Sequence, residues 1–167
     1  DIPLVFMIVA DPVGSRIIES YENTGRGNIA GTRNRVPEAV HINTIRSYYP
    51  AFKRLGMLYN RNDNNSVIKV TEIKGLTKAM NFELVALELE PGADGKPSPG
   101  SISPAIEQLK AASVDFIYLG SSSFLDVNSD LFTQSAIDAG IPVLSPYERL
   151  VRKSHALLSI AARYEDV

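Results

Sequence analysis

The chain has 167 residues, of which 44% are hydrophobic and 22% charged, and its formal net charge is −2. That is one domain, or one domain with part of another, apolar enough to build a core and without the basic excess of a nucleic-acid surface. The absence of cysteine excludes disulfide frameworks, zinc–thiolate sites and thiol catalysis.

Ile2–Ala10 is a continuous apolar run, as expected of a strand covered on both faces, and Asp11-Pro12 ends it. Gly14 to Glu22 is read as a short helix, because Ile17, Ile18 and Tyr21 share a face at helical spacing. Asn23–Asn28 is a turn cluster, Ile29–Thr32 a brief strand and Arg33–Pro37 a crossing segment. Glu38–Tyr49 has a helical pattern with Val40, Ile45 and Tyr48 as inward candidates, and Pro50 stops it. Tyr48 and Tyr49 are expected to pack there.

Arg54–Tyr59 is a strand, Asn60–Asn65 a polar loop and Val67–Met80 a helix with Asn65 or Ser66 as its cap. Glu83–Leu89 is a strand. Pro91–Ser101 holds three prolines and three glycines and is an irregular loop. Ser103 is the expected cap of a helix over Pro104–Ala112, with proline in its first turn. Val114–Leu119 is a strand tipped by Gly120–Ser123, and Ser129–Ala139 is a helix stopped by Gly140. Ile141–Leu144 and Ala156–Ile160 are strands, Arg149–Lys153 is a solvated stretch, and Tyr164 opens a further helix.

The alternation from Lys53 to Ile160 is that of an α/β, doubly wound parallel sheet, which binds ligands at the carboxyl ends of its strands. Residues 1–36 are read as the C-terminal part of a first lobe with a crossover, 37–160 as a near-complete second lobe, and 161–167 as the start of a return. The chain opens on a strand with no basic region before it and ends without a turn signal, so it is read as a piece of a longer protein. No apolar run approaches the roughly 18 residues of a membrane span.

Most familiar chemistries are absent from the pattern. Gly25, Gly27 and Gly31 are spaced one residue too wide for a dinucleotide fingerprint and precede a strand instead of following one. No phosphate-binding G-x-x-x-x-G-K-[ST] loop occurs. His41 and His155 lack metal-ligand spacing, and Ser121–Ser123 has no G-x-S-x-G elbow. No catalytic residue, metal or cofactor is therefore expected.

The strand tips are rich in amides, hydroxyls and carboxylates, which suit recognition of a small polar molecule. Asn65 and Ser66 stand at a helix start, where backbone N–H groups either are capped or hold a carboxylate or phosphate. Ser121 and Ser122 invite the same two readings. Asp11 either caps the next helix or pairs with a ligand ammonium group. Tyr147 and Glu148 offer an aromatic wall and a second carboxylate.

The ordered blocks IPLVFMIVADPVG, NTGRGNIAGT, KRLGMLYNRNDNNSV, VDFIYLGSSS and IPVLSPYE resemble ABC-transporter substrate-binding proteins with the type I periplasmic-binding-protein fold. The group that includes tryptophan- and tyrosine-binding members is the most similar. The resemblance implies two α/β lobes joined by crossing strands, with a small organic solute, amino acids among the possibilities, bound between them. It implies ligand contacts at Asp11-Pro12, Asn60, Asn65-Ser66 and Ser121-Ser122. It also implies an ABC permease as partner and a periplasmic or extracellular, membrane-anchored address. The tip SPYE departs from the short acidic tip common in that group after the I-P-V strand, and GSSS from the T-D-like tip common after the preceding one. A sensory or regulatory domain of the same fold is the alternative role.

Overall fold

The computed structural model describes residues 2–7, 9, 11–32, 36–92 and 95–161. The chain divides into two units, Asp1–Val36 with Ala161–Val167, and Pro37–Ile160.

In the first unit, β1 (Leu4–Phe6) pairs in parallel with β2 (Ile29–Gly31), Leu4 opposite Ile29. The strand expected over Ile2–Ala10 is shorter, and positions 8 and 10 lie outside the described residues. It is also not covered on both faces, since Val5 is 67% exposed in a two-stranded sheet. The helix expected over Gly14–Glu22 is absent. The segment makes turns instead, with Ser15 N–H bonded to Asp11 O and Arg16 N–H to Val13 O. Arg16 has φ +57°, a left-handed conformation that interrupts helical propagation.

The second unit runs α1 (Glu38–Tyr48), β3 (Arg54–Tyr59), α2 (Asn64–Leu76), β4 (Glu83–Glu88), a 3₁₀ turn at Pro99–Ser101 and α3 (Ile102–Ala111). It continues with β5 (Phe116–Tyr118), α4 (Ser123–Val127), α5 (Ser129–Ala139), β6 (Val143–Ser145), α6 (Glu148–Lys153) and β7 (Leu158–Ser159). The strands form one parallel sheet in the order β4-β3-β5-β6-β7. Alternate residues face opposite layers, as the period of two requires. Leu55, Met57, Phe116, Tyr118 and Leu144 pack with Ile42, Ile45 and Ile73 of α1 and α2. Leu58, Ile117 and Val143 pack with Ile106, Leu109 and Phe132 of α3 and α5, and with Leu150 of α6. Helices therefore cover both faces, which is why the strands read as nearly continuous apolar runs.

Several local expectations are corrected. In α1 the buried residues are Glu38, His41, Ile42 and Ile45, whereas Val40 is 41% and Tyr48 73% exposed, and Tyr49 is exposed as well. The polar Glu38 and His41 take inward places because they satisfy each other in a buried network. Helix α2 begins at Asn64 and is capped by Asp63, not by Asn65 or Ser66. Helix α3 begins at Ile102 after the 3₁₀ turn, and the Ser103 hydroxyl bonds that of Ser135 at 2.8 Å instead of capping. The solvated stretch Arg149–Lys153 lies within α6 and buries Leu150. Gly140 does terminate α5, at φ +76°, the left-handed exit that glycine adopts without strain. The helix expected from Tyr164 and positions 33–35 of the crossing segment lie outside the described residues.

One buried charge cluster ties the second unit together. Glu38 Oε1 pairs with the Lys69 ammonium of α2, and Glu38 Oε2 lies 3.3 Å from His41 Nδ1. The Tyr118 hydroxyl lies 3.3 Å from the same nitrogen, and His41 Nε2 is 3.1 Å from the carbonyl of Ile160. A carbonyl only accepts, so Nε2 carries a proton. Burial pushes the Glu38 carboxyl up, but hydrogen bonding to His41, the Lys69 charge and its hydrogen bond, and the Tyr118 hydroxyl outweigh it and lower the pKa to about 2.

Candidate ligand-binding site

In the sheet order, β3 is followed in the chain by β4 on one side and then by β5 on the other. The connections after β3 and β5 therefore diverge, and a crevice opens between their tips. Into this switch point the second unit brings residues 60–66 and 120–123.

The first tip is built around Asp63. Its Oδ1 accepts from the N–H of Asn65 at 3.1 Å and of Ser66 at 3.4 Å, capping α2. The Asn60 side-chain oxygen accepts from Asn62 N–H, and Asn60 N–H donates to the buried Ser66 hydroxyl at 3.2 Å. Asn65 is exposed. In the second tip, the Ser122 hydroxyl is buried and accepts from Leu125 N–H at 3.4 Å, capping α4. Ser121 is half-buried. The tips are joined directly: Ser123 N–H donates to Asp63 Oδ2 at 3.3 Å.

Gly120 lets this tip stand close to α2. A Cβ there would lie 3.1 Å from Met57 Cε and 3.3 Å from Lys69 Cβ. Gly120→Val is expected to force these apart and destabilise the protein by about 1–3 kcal/mol, read as a lower urea midpoint.

The other sequence-selected residues belong to other segments. Tyr147 and Glu148 follow β6, the strand beyond β5. Tyr147 packs against the core and its N–H donates to Ser145 Oγ at 3.0 Å, while the exposed Glu148 pairs with Arg152 at 2.6 Å. Asp11 and the buried Pro12 belong to the first unit. There Asp11 Oδ1 accepts from Gly14 N–H at 2.9 Å, so its capping is that of a turn and not of a helix. Sequence reasoning missed Asp63. Its signal was local: aspartate is a preferred N-cap, and here it stands three residues before Ser66.

Two open hollows are lined by other residues. One, of about 440 Å³, is lined by Lys53, Thr77, Lys78, Asn81, Phe82 and Glu83 at the amino ends of β3 and β4. The other, of about 290 Å³, belongs to the first unit between Val13 and Arg26. The strand-end rule does not assign the first of these to the binding edge, since it lies at amino ends. Among the described residues, no three His, Cys, Asp or Glu are grouped to hold a metal, and no helix is long and apolar enough to cross a membrane.

The family model described as ABC transporter substrate binding protein matches residues 1–165. The chain belongs to the ABC transporter substrate-binding protein family. Over all 167 residues it is 26% identical to a tyrosine-binding protein of Clostridioides difficile (strain R20291), of which it covers 46%. Its fold matches that of a Streptococcus pneumoniae ABC domain solved in complex with L-Trp, with TM-score 0.75 and 20% identity, covering 99% of this chain and 54% of that one. A ligand-free, open substrate-binding protein with adhesive properties from Clostridium difficile matches with TM-score 0.78 and 23% identity over 94% of this chain and 50% of that one. A conserved domain protein from Vibrio cholerae matches at 0.77 and 23%, over 98% and 52%. The chain thus spans about half the length of the proteins it matches. The parallel sheet with helices on both faces is the periplasmic-binding-protein-like fold of these structures.

Proposed function

We propose that this chain is the ligand-binding part of an extracytoplasmic, membrane-anchored solute-binding component of an ABC uptake transporter. The ligand is a small organic solute, most suitably an amino acid with an aromatic side chain. The observation that carries this reading is the meeting of two amide- and hydroxyl-rich tips at the switch point of the sheet, where such sheets take ligands. Family membership and relatives described by their tyrosine and L-Trp ligands support it. Asn60, Asn65, Ser66, Ser121 and Ser122 are the proposed contacts of the second lobe, with Tyr147 and Glu148 at its rim. Asp11 and Pro12 are the proposed contacts of the first lobe. Two lobes close on the solute by a hinge, and the closed form docks on a permease.

A ligand that binds only the folded protein raises its apparent stability by mass action, about 2.7 kcal/mol at a hundred times Kd. The full-length protein is therefore expected to melt several degrees higher with L-tyrosine or L-tryptophan in a thermal-shift panel of amino acids and other small solutes. A flat response to the whole panel overturns the reading.

A further inference from the structure

We infer that Asp63 fixes the charge that the switch point admits: it joins the two tips and keeps an anionic group of the ligand from the crevice. This rests on the proposed binding reading and adds to it the chemistry of one subsite.

The geometry is specific. One carboxylate accepts three backbone N–H groups, two from the start of α2 and one from Ser123 across the crevice. Those are the donors that a ligand carboxylate or phosphate would need at this place. They are already taken by an internal anion. A second anion brought beside it would meet like charge, with these three N–H donors already engaged.

Within the second unit, the neighbouring cations are engaged by other carboxylates. Arg61 is turned to Glu88 at 2.5 Å, and the Lys69 ammonium is held by Glu38, with Glu72 at 3.6 Å. Farther along the same edge Arg149 is paired with Asp126, and Glu148 with Arg152. Asp63 is met by backbone dipoles. A carboxylate has about four acceptor sites, and the three bonds leave room for one further donor. The group of the ligand that faces Asp63 is accordingly a hydrogen-bond donor, cationic or neutral, and the carboxylate of an amino acid lies elsewhere.

The test uses the full-length protein and the Asp63→Asn variant. Asparagine still caps α2 through its oxygen, so folding is retained, but its amide nitrogen cannot accept from Ser123. The amide resonances of Asn65, Ser66 and Ser123 are followed during titration with sodium acetate, inorganic phosphate and methylammonium chloride. In the unsubstituted protein these resonances are expected to move with methylammonium and to stay in place with acetate and phosphate. In Asp63→Asn the Ser123 amide is expected to exchange with solvent roughly tenfold faster, as loss of one hydrogen bond implies, and to move with acetate. Movement of the three amides by acetate or phosphate in the unsubstituted protein overturns the inference, as does no movement with methylammonium or an unchanged Ser123 exchange rate in the variant. L-Tyrosine and L-tryptophan are titrated in parallel. If neither binds, the amino-acid reading fails by itself, while the amide shifts still decide the role of Asp63.

Discussion

Lys69→Met is expected to destabilise the full-length protein by about 3–5 kcal/mol, because it leaves the Glu38 carboxylate buried without its cation. The methionine fills much the same volume, so lost packing contributes little. Glu38→Gln combined with Lys69→Met removes both charges and is expected to recover a large part of the loss. A double-mutant cycle by urea unfolding at neutral pH measures the coupling. Additive single and double effects would show that the pair is not an energetic unit.

The same cluster sets an acid dependence. The Glu38 carboxyl is lowered from 4.5 to about 2 in the folded state. A carboxylate with a lowered folded pKa contributes stability that is present above its unfolded pKa and is lost as pH falls through the folded one. The window is therefore roughly pH 5 to 2, and the contribution is about 3 kcal/mol. Unfolding free energies measured across that window should fall less steeply in Glu38→Gln than in the unsubstituted protein.

Phe132→Ala is the second large effect. Phe132 is fully buried and belongs to the cluster that joins α3 and α5 to the sheet. Truncation removes most of the ring and leaves a cavity that neighbours fill only in part, at a cost of about 3–5 kcal/mol. The expected readout is a lower urea midpoint with an unchanged slope. A loss under about 1 kcal/mol would mean that α3 and α5 close over the gap. Phe132 lies outside the switch-point residues, so the substitution separates stability from ligand recognition: affinity measured well below the melting temperature should stay near that of the unsubstituted protein.

Local pattern determined a good deal of this protein by itself. The apolar run of Arg54–Tyr59 has the bounds of β3, the start of α1 at Glu38 comes directly after Pro37, and Gly140 stops α5 through a left-handed residue. These depend on residues a few positions apart, through burial on both faces, on capping and on backbone freedom. The sequence blocks also led to the family, since their order along the chain is itself the information.

Tertiary structure alone decided the rest. The order β4-β3-β5-β6-β7 sets which tips are neighbours, and an apolar strand does not announce its partner. Asp63 and Ser123 meet across 60 positions, and the same carboxylate engages the N–H groups of Asn65 and Ser66 that the sequence left open to an anion. Glu38 and His41 belong by composition on a solvated helix face, yet they lie inside. Lys69 is 31 positions away from Glu38, and Tyr118 and Ile160 are 77 and 119 from His41. Burying a charge is costly unless its partners are in place, and those partners are brought together only when the sheet and both helical layers have formed.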